Sequence, residues 1–383
     1  MSELGQPLRV LIAGGGTGGH VIPALAIARE LRDEHGAEMR FVGTARGLET
    51  RLVPEAGFPL ELIRVGQLKN VSLATRVRTL ADLPLGVVRC VELVRSFKPD
   101  VVVGVGGYAS GPAMMAAILL QVPTLAFEPN AVPGLANRLV GQFVSAAAVN
   151  FEETRRYFRG ATVTGIPVRR EFFGIAPLPE AERARASSAG SISKDGLTST
   201  RRLLVFGGSQ GARVFNTVMP RIAKGLLEEV PGLRILHQTG KGQAESTEEA
   251  YGASGADPSR WKVATYLDDM PRRFADADLI LCRSGASTVA ELAAAGRPAV
   301  LVPFPGAADD HQMKNAEAFA RVGAAELRVQ AADDLMEAFL LSDLSRLLLD
   351  AGRLAEMGRR VRGLAHPDAV RVIGQMVATL AGR

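Results

Sequence analysis

Residues 8–20 read LRVLIAGGGTGGH, an apolar run that passes without interruption into a glycine-rich turn. The same order of features returns at residues 201–212, as RRLLVFGGSQGA, and a helical apolar period follows both turns. A strand that ends in a glycine turn and opens a helix begins a βα unit, and the helix N-terminus presents free amides to anions such as phosphate. The repeat predicts two α/β domains, each built on a doubly wound parallel sheet.

The predicted strands are continuous runs of Val, Ile, Leu and Ala, without alternation of polar and apolar residues. Such runs are typical of parallel strands that helices cover on both faces. In the first half the strands are predicted at Arg9–Ala13, Met39–Val42, Val101–Val105, Thr124–Phe127 and Ala146–Val149. In the second half they are predicted at Arg202–Phe206, Leu233–Gln238, Val263–Tyr266, Leu279–Cys282 and Ala299–Val302.

The domain boundary is predicted from composition. Residues 174–200 are rich in Pro, Ala, Ser, Gly and charge and have no apolar period, so they read as a linker. We therefore expect an N-terminal Rossmann-like domain at 1–173 and a C-terminal one at 201–367. Residues 368–383 have the spacing of an amphipathic helix, which we expect to pack back on the N-terminal domain.

Composition excludes several classes of protein. The chain is 47% hydrophobic and 22% charged, unlike disordered, collagenous or coiled-coil proteins. Its two cysteines, Cys90 and Cys282, lie far apart, so we expect a reducing compartment and neither a disulfide framework nor a zinc ribbon. No apolar run approaches the roughly 18–20 residues of a membrane span. The N-terminus also lacks the pattern of a signal peptide.

The net charge is +5, which by itself is weak evidence for any partner. Residues 64–98, however, hold seven basic and two acidic residues, a surplus as large as that of the whole chain. Leu73, Val77 and Leu80 share a helical face there, and an apolar period continues beyond Pro84. The stretch fits either a solvated helix face or a helix that adsorbs to an anionic membrane.

The first glycine turn is not a nicotinamide-binding fingerprint. Gly14, Gly16 and Gly19 have the right spacing, but the second predicted strand lacks the acidic residue that would bind the ribose. Neither turn continues into the Lys-Ser/Thr pair of a P-loop. His20 closes the first turn and can serve as a general base for a hydroxyl, or it can simply hydrogen-bond the loop.

Two features of the second half suit a nucleotide sugar, and an acidic pair lies between them in the sequence. Glu291 lies in a helix predicted at Val289–Ala295, where a carboxylate can bind two ribose hydroxyls or compensate the helix dipole. Asp309 and Asp310 suit a metal or, as we prefer, the N-terminus of a helix at 309–321. Gln312 and Asn315 share a face of that helix and suit hydrogen bonds to a sugar.

Most of these groups fall at the carboxyl ends of predicted strands, as do GGYASGP at 106–112 and FEPN at 127–130. Ligands of open α/β sheets bind beyond such ends. The sequence thus offers two phosphate-binding turns, a carboxylate that can bind ribose and neutral groups that can bind a sugar, but no set of metal ligands. This combination predicts a nucleotide-sugar enzyme that works in a cleft between two domains.

An ordered set of motifs resembles the bacterial MurG family of N-acetylglucosaminyltransferases, which are glycosyltransferases of the family 28 type. The motifs are GGGTGGH at 14–20, GGYASGP at 106–112, EPNAVPG at 128–134, GIPVR at 165–169, GGSQGA at 207–212, YLDDM at 266–270, CRSGASTVAEL at 282–292 and DDHQMKNA at 309–316. The resemblance implies the GT-B fold, with two Rossmann-like domains facing across a cleft. It also implies inverting transfer of N-acetylglucosamine from UDP-N-acetylglucosamine to lipid I.

The resemblance assigns roles residue by residue. It implies catalytic roles for His20 and Glu128, and places Gly15, Gly16 and Tyr108 on the acceptor side. It implies donor binding by Thr17, Gly18, Gly19, Asn130, Arg169, Ser209, Leu267, Ala286, Ser287, Thr288, Val289, Ala290, Glu291 and Gln312. No metal and no cofactor are expected. The chain departs from the family at Phe127, Pro129 and Ile166.

The resemblance also implies partners and a location. The expected partners are UDP-N-acetylglucosamine, lipid I, an anionic membrane that binds residues 64–98, and other proteins of cell-wall synthesis, but no nucleic acid. The expected location is the cytoplasmic face of the inner membrane, as a peripheral protein. The alternatives are a transferase with another lipid acceptor, such as a diacylglycerol glycosyltransferase, a UDP-N-acetylglucosamine epimerase, and a non-catalytic UDP-sugar-binding subunit.

Overall fold

The computed structural model describes residues 7–65, 73–178, 200–208 and 210–383, with the backbone alone at 73–83 and 308. The chain divides into two compact units. The first unit is Met1–Val168 with His366–Arg383, and the second unit is Arg169–Ala365. Of the predicted linker 174–200, residues 179–199 lie outside the described part. The division places Arg169 in the same unit as Glu291.

The first unit contains a seven-stranded parallel sheet in the order β3-β2-β1-β4-β5-β6-β7. Each central strand is a run that is almost wholly buried, which explains its apolar sequence. The strands are β1 Arg9–Ala13, β2 Glu38–Gly43, β3 Leu60–Leu62, β4 Val101–Gly104, β5 Thr124–Glu128, β6 Ala146–Val149 and β7 Ala161–Val163.

The second unit contains a six-stranded parallel sheet in the order β10-β9-β8-β11-β12-β13. Its strands are β8 Arg202–Phe206, β9 Arg234–Gln238, β10 Trp261–Ala264, β11 Leu279–Cys282, β12 Ala299–Leu301 and β13 Ala325–Leu327. The order repeats that of the first six strands of the other sheet and is the usual order of doubly wound dinucleotide folds. The prediction of two doubly wound parallel sheets is therefore confirmed.

Helices alternate with the strands. In the first unit they are α1 Gly18–His35, α2 Glu49–Glu55, α3 Leu73–Phe97, α4 Ser110–Leu119, α5 Leu135–Val140 and, at the C-terminus, α14 Ala369–Leu380. In the second unit they are α6 Arg170–Phe173, α7 Arg213–Glu229, α8 Ala244–Ala253, α9 Met270–Asp276, α10 Ala286–Ala295, α11 His311–Arg321, α12 Asp333–Leu349 and α13 Ala351–Arg362. Short 3-10 turns span Glu152–Tyr157 and Ala308–Asp310. None of the helices in the described ranges has the length and apolar character needed to cross a bilayer.

The C-terminal helix α14 packs on α1 within the first unit. Gly374 faces α1 so closely that a Cβ there would lie 3.1 Å from Glu30 Cγ and 3.2 Å from His35 Nε2. Ile373 and Val377 are fully buried on the same helix. The amphipathic spacing seen in the sequence therefore corresponds to a helix with one buried face.

The topology determines where ligands bind. Strand order reverses beside the first strand of each sheet, so β1 lies between β2 and β4, and β8 lies between β9 and β11. The crevice outside the carboxyl ends of such a strand pair is the usual ligand site of this fold class. In this chain the turns that follow β1, β4 and β8 carry the glycine-rich motifs, and the turn after β11 is the small-residue stretch Arg283-Ser284-Gly285.

Candidate active site

The glycine turn after β1 is packed against the turn after β4. Gly15 has φ +154° and Gly107 φ +81°, and a Cβ on Gly107 would overlap the carbonyl of Gly15. Both the left-handed backbone and the close approach require glycine. The first-turn amides of α1 then project from the turn with the positive end of the helix dipole, so they can bind a negatively charged group.

His20 lies in the first turn of α1, half-buried beside the two turns. Its Nδ1 is 3.2 Å from the Gly15 carbonyl oxygen, and its ring packs against Gly106, where a Cβ would lie 3.0 Å from Nε2. Because a carbonyl oxygen only accepts, Nδ1 carries the proton in this contact and Nε2 is the basic nitrogen. The loop contact and a role as base, which the sequence left as alternatives, are thus compatible.

The other residues predicted in this region surround the same turns. Gly15 is buried, Gly16, Gly18 and Gly19 are partly buried, and Thr17 is exposed. Thr17 is the N-cap of α1, yet its hydroxyl makes no capping hydrogen bond. Tyr108 follows the β4 turn and is 40% exposed. These groups are therefore placed where a ligand at the end of the sheet would meet them.

Glu128 ends β5 and is buried, with both carboxylate oxygens engaged by its own loop. One oxygen accepts from the backbone and side chain of Asn130 at 3.0 and 3.1 Å, and the other from Gly134 N and Asn137 Nδ2 at 3.1 and 3.0 Å. Burial raises the pKa of Glu128, and these hydrogen bonds oppose the rise. The carboxylate therefore fixes the orientation of the Asn130 amide. Sequence analysis missed Asn137, which nothing in the local pattern distinguishes.

In the second unit, the glycine turn after β8 lines a cavity of about 600 Å³. Gly211 has φ +73°, and a Cβ there would overlap the Thr239 carbonyl, so no larger residue fits. Ser209, predicted to bind the donor phosphate, lies outside the described residues. Other members of the lining are Gln210, Ala212, Arg213, Val214, Arg283, Phe304, Gln312, Gln330 and Asp333.

Arg283 forms one wall of this cavity and was not singled out from the sequence. Its guanidinium donates to the carbonyls of Val302 and Pro303, both at 3.0 Å, and to Gln330 Oε1 at 2.8 Å. It lies 5.4 Å from the centre of the Phe304 ring. Burial lowers the pKa of Arg283 to about 10. A basic residue directly after a fully apolar strand is the signal that could have identified it.

The turn after β11 leads into α10, which begins at Ala286, three residues earlier than the predicted start at Val289. Ala286 and Val289 are buried, and Ser287, Thr288 and Ala290 are partly buried. Among the described residues, the Ser287 hydroxyl is buried without a hydrogen-bond partner. The predicted start at Val289 was wrong because Ala-Ser-Thr, which reads as a loop, is wound into the first turn of the helix. The turn thus presents both amides and a hydroxyl at a helix N-terminus.

Glu291 therefore lies in the second turn of α10, and α10 has no acidic residue in its first turn. Because dipole compensation is confined to the first turn, that alternative explains Glu291 poorly. Burial raises the pKa of Glu291 to about 7, and the charge of Arg169 opposes the rise. Arg169 itself is exposed, with its guanidinium 5.1 Å from the Phe172 ring. A partly buried carboxylate with a raised pKa is typical of a functional site.

The polar cluster before α11 differs from its prediction. Asp309 and Asp310 both have positive φ, 54° and 55°, and the helix begins only at His311. Asp310 is the N-cap residue but its side chain makes no capping bond, so the expected capping role is wrong. Among the described residues, no group of three or more His, Cys, Asp or Glu side chains is arranged to hold a metal.

Gln312 and Asn315 have different surroundings although they share a helix face. Gln312 Oε1 accepts from Phe304 N at 3.0 Å, which aims its amide group along the cavity wall. Asn315 is fully buried and donates to the Ser284 carbonyl at 3.1 Å. The expected contact of Asn315 with a sugar is therefore wrong, because the shorter side chain ties α11 to the turn after β11. Leu267 is 8% exposed.

Two family models and relatives similar in sequence connect this chain with glycosyltransferases. Residues 10–149 match the glycosyltransferase family 28 N-terminal domain and residues 202–373 its C-terminal domain. A UDP-N-acetylglucosamine–N-acetylmuramyl-(pentapeptide) pyrophosphoryl-undecaprenol N-acetylglucosamine transferase of Solibacter usitatus is 43% identical over 97% of this chain and 96% of its own. The protein of that name from Geobacter metallireducens is 37% identical over 96% and 97%. The crystal structure of Acinetobacter baumannii MurG has a TM-score of 0.79 at 29% identity, over 97% of this chain and 100% of that one.

Proposed function

The chain belongs to glycosyltransferase family 28, and from that membership we propose that it transfers N-acetylglucosamine from UDP-N-acetylglucosamine to lipid I. The acceptor is the 4-hydroxyl of the MurNAc unit of undecaprenyl-pyrophosphoryl-MurNAc-pentapeptide, and the product is lipid II of peptidoglycan synthesis. The observation that carries this function is the alignment of relatives named for it, at 37–43% identity, over nearly the whole chain. The enzyme is a UDP-N-acetylglucosamine-dependent hexosyltransferase.

The second unit is proposed to hold the donor. The amides of the turn after β8, with Ser209, would bind the diphosphate together with Ser287 and Thr288 of α10. Glu291 would accept hydrogen bonds from the vicinal ribose hydroxyls, Arg169 and the Leu267 backbone would contact the uracil, and Gln312 the sugar. Helix N-termini and fixed amides favour the charge that develops on the leaving diphosphate.

The first unit is proposed to supply the base and the acceptor site. His20 Nε2 would take the proton of the acceptor hydroxyl as its oxygen attacks the anomeric carbon and the carbon–diphosphate bond breaks, with UDP leaving with the electron pair. Thr17, Gly18 and Gly19 would meet the reacting groups, and Gly15, Gly16 and Tyr108 the acceptor. Because both oxygens of Glu128 are occupied, we propose that it orients Asn130 toward the donor sugar instead of accepting a proton.

One assay tests this function. The protein is incubated with UDP-N-acetylglucosamine and a lipid I analogue, and UDP and the disaccharide product are measured. Absence of product from protein that binds UDP would refute the proposal. His20→Ala should lower turnover about 10²–10⁴-fold and leave UDP binding nearly unchanged, because the donor groups lie in the other unit. Full turnover in this variant would show that the base is elsewhere.

A membrane-docking surface is proposed on α3, α4 and α5, which pack in succession within the first unit. Large apolar side chains are exposed on these helices and directly after α5, between 56% and 70%, namely Leu85, Val88, Leu119, Leu139 and Phe143. Exposed basic side chains accompany them, namely Arg89, Arg95, Lys98 and Arg138. Such apolar side chains can insert among lipids, and the basic side chains can bind anionic headgroups. Together they suit peripheral binding at the cytoplasmic leaflet. We propose that other proteins of cell-wall synthesis meet the enzyme there.

Binding to anionic vesicles tests this surface. Reversal of Arg76, Arg78 and Arg89 to Glu should weaken binding, and the loss should shrink at high salt. The side chains of Arg76 and Arg78 lie outside the described part, so this prediction depends on their place along α3. The matched control reverses three exposed arginines elsewhere in the first unit, Arg32, Arg51 and Arg155. Equal losses in both triple variants would show that net charge, and not this surface, governs binding.

A further inference from the structure

A buried carboxylate that the proposed mechanism does not use lies beneath the first glycine turn. Glu49, the first residue of α2, is 1% exposed. One of its oxygens accepts from Thr44 N at 2.9 Å and from Thr44 Oγ1 at 3.0 Å, and the other accepts from Gly16 N at 2.7 Å. Both oxygens thus act as acceptors, as they do in the ionised form.

Three glycines make room for this carboxylate. A Cβ on Gly15, Gly43 or Gly47 would overlap the side chain of Glu49. The turns after β1 and β2 therefore close around the carboxylate, and the fold excludes any larger residue at these three positions. The three hydrogen bonds to Glu49 offset the cost of this close enclosure, because burying a carboxylate costs free energy unless it is hydrogen-bonded.

One peptide group joins Glu49 to His20. The N–H of Gly16 donates to the Glu49 carboxylate, and the carbonyl of the same peptide unit, that of Gly15, accepts from His20 Nδ1 at 3.2 Å. A negative charge on the N–H side of a peptide polarises it and makes its carbonyl oxygen a stronger acceptor. The arrangement resembles a carboxylate bonded to a histidine, with one peptide inserted between them.

We infer that Glu49 is a positioning residue for His20, acting through the Gly15–Gly16 peptide to hold Nδ1 protonated and Nε2 as the basic nitrogen. The inference rests on the proposed function, in which Nε2 takes the proton of the acceptor hydroxyl. When that proton arrives, the imidazolium is stabilised through the polarised carbonyl. Along the chain, the residues next to these turns that can carry charge are Arg46, three residues before Glu49, and Tyr108, directly after Gly107. The Gly106-Gly107 turn against the ring carries none.

The test compares Glu49→Gln, Glu49→Asp and Thr44→Val with the unaltered protein. Thr44→Val is the matched control, because it removes one hydrogen bond to the carboxylate but leaves the charge and the Gly16 contact. The first readout is the ¹⁵N NMR titration of the imidazoles, with His20 assigned among five histidines from the spectrum of His20→Ala. The second readout is the pH profile of kcat, with UDP binding as a check on the second unit.

In Glu49→Gln we expect the midpoint of the His20 titration to fall by about one pH unit. The midpoint of the acid limb in the pH profile of kcat should fall by the same amount. A charge on the order of 8 Å away, across two hydrogen bonds and a peptide, has this effect at an effective dielectric constant of about 30. Turnover at neutral pH should fall about tenfold, since a weaker base transfers protons less well. Thr44→Val should keep the midpoint, and Glu49→Asp should fall between the two.

A purely structural Glu49 would give a different result. Glu49→Gln and Thr44→Val would then lose thermal stability alike while the His20 midpoint stays in place, and the inference would be overturned. If Glu49→Gln does not fold, an unchanged midpoint in Glu49→Asp, whose shorter side chain stretches the Gly16 contact, overturns it instead. Failure of the proposed function is separate. It would appear as lack of transfer by the unaltered protein, whereas the titration still measures the coupling between Glu49 and His20.

Discussion

Replacement of Glu291 by Gln should stabilise the second unit and weaken the donor site at the same time. Burial raises the pKa of Glu291 from 4.5 to about 7, so the folded protein resists the ionised carboxylate. Below pH 4.5 the group is protonated both folded and unfolded, and it then costs nothing. As the pH rises from 4.5 to about 7, the carboxyl ionises in the unfolded chain while burial keeps it protonated in the folded protein, so the unaltered protein loses stability over this range. The Glu291→Gln variant, whose side chain is neutral, does not.

The magnitude follows from the size of the shift. The rise of the Glu291 pKa from 4.5 to about 7, at about 1.4 kcal/mol per pH unit, sets an upper bound of about 3.5 kcal/mol. Because Glu291 is only partly buried, we expect about 1–3 kcal/mol. The free energy of unfolding of Glu291→Gln, relative to the unaltered protein, should therefore be unchanged near pH 4.5 and should rise to that value by pH 8.

The chain itself provides the probe. Its single tryptophan, Trp261, lies in β10 of the second unit and stacks on Tyr251 with ring centres 5.0 Å apart. Urea unfolding followed by tryptophan fluorescence at pH 5, 7 and 9 therefore reports on this unit alone. UDP affinity should fall about tenfold or more in the variant, and 2′,3′-dideoxy-UDP, which lacks both ribose hydroxyls, should bind both proteins almost equally. A difference in stability that does not depend on pH would refute the argument from burial, and unchanged UDP affinity would refute the ribose contact.

Three further predictions concern other parts of the chain. Gly211→Ala should destabilise the second unit by about 3 kcal/mol, because it adds a Cβ to a residue with left-handed backbone and against the Thr239 carbonyl. Urea unfolding followed by Trp261 fluorescence measures this loss. A loss under about 1 kcal/mol would contradict the close approach of Gly211 to Thr239. Arg297→Met should cost about 3–5 kcal/mol, since the fully buried guanidinium donates to the carbonyls of Phe274, Ala176 and Ala275. The same unfolding measurement checks it, with the exposed Arg234→Met as control. Phe143→Ser should weaken binding to anionic vesicles about tenfold through loss of an inserted ring, without changing UDP affinity; unchanged sedimentation with vesicles would exclude Phe143 from the docking surface.

The strands that sequence analysis found and those it missed differ in a physical property. β1, β4, β8 and β11 are central strands whose apolar runs reflect burial on both faces. The missed strands, β3, β7 and β13, have three residues each and lie at sheet edges, with several side chains partly exposed. A short edge strand needs no apolar run, so its sequence does not differ from that of a loop.

The candidate site shows the same limit at the level of side chains. Gln312 and Asn315 are equivalent by spacing, yet one borders the cavity and the other is buried against Ser284. Asp309 and Asp310 read as helix caps, but their left-handed backbone is set by the turn that enters α11. For Asn315 the deciding contact comes from Ser284, a residue distant in the chain, which local spacing does not report.

Local sequence patterns were enough to predict that this protein has two parallel α/β sheets, that its glycine turns follow particular strands, and that these turns suit a nucleotide sugar. They were enough because the burial of a strand and the tightness of a turn restrict the residues at their own positions. Packing in three dimensions was needed to show that Glu49 contacts the peptide beside His20, that Glu128 is occupied by its own loop, and that burial raises the pKa of Glu291. These are properties of enclosure and distance, and they exist only once segments far apart in the chain have packed together.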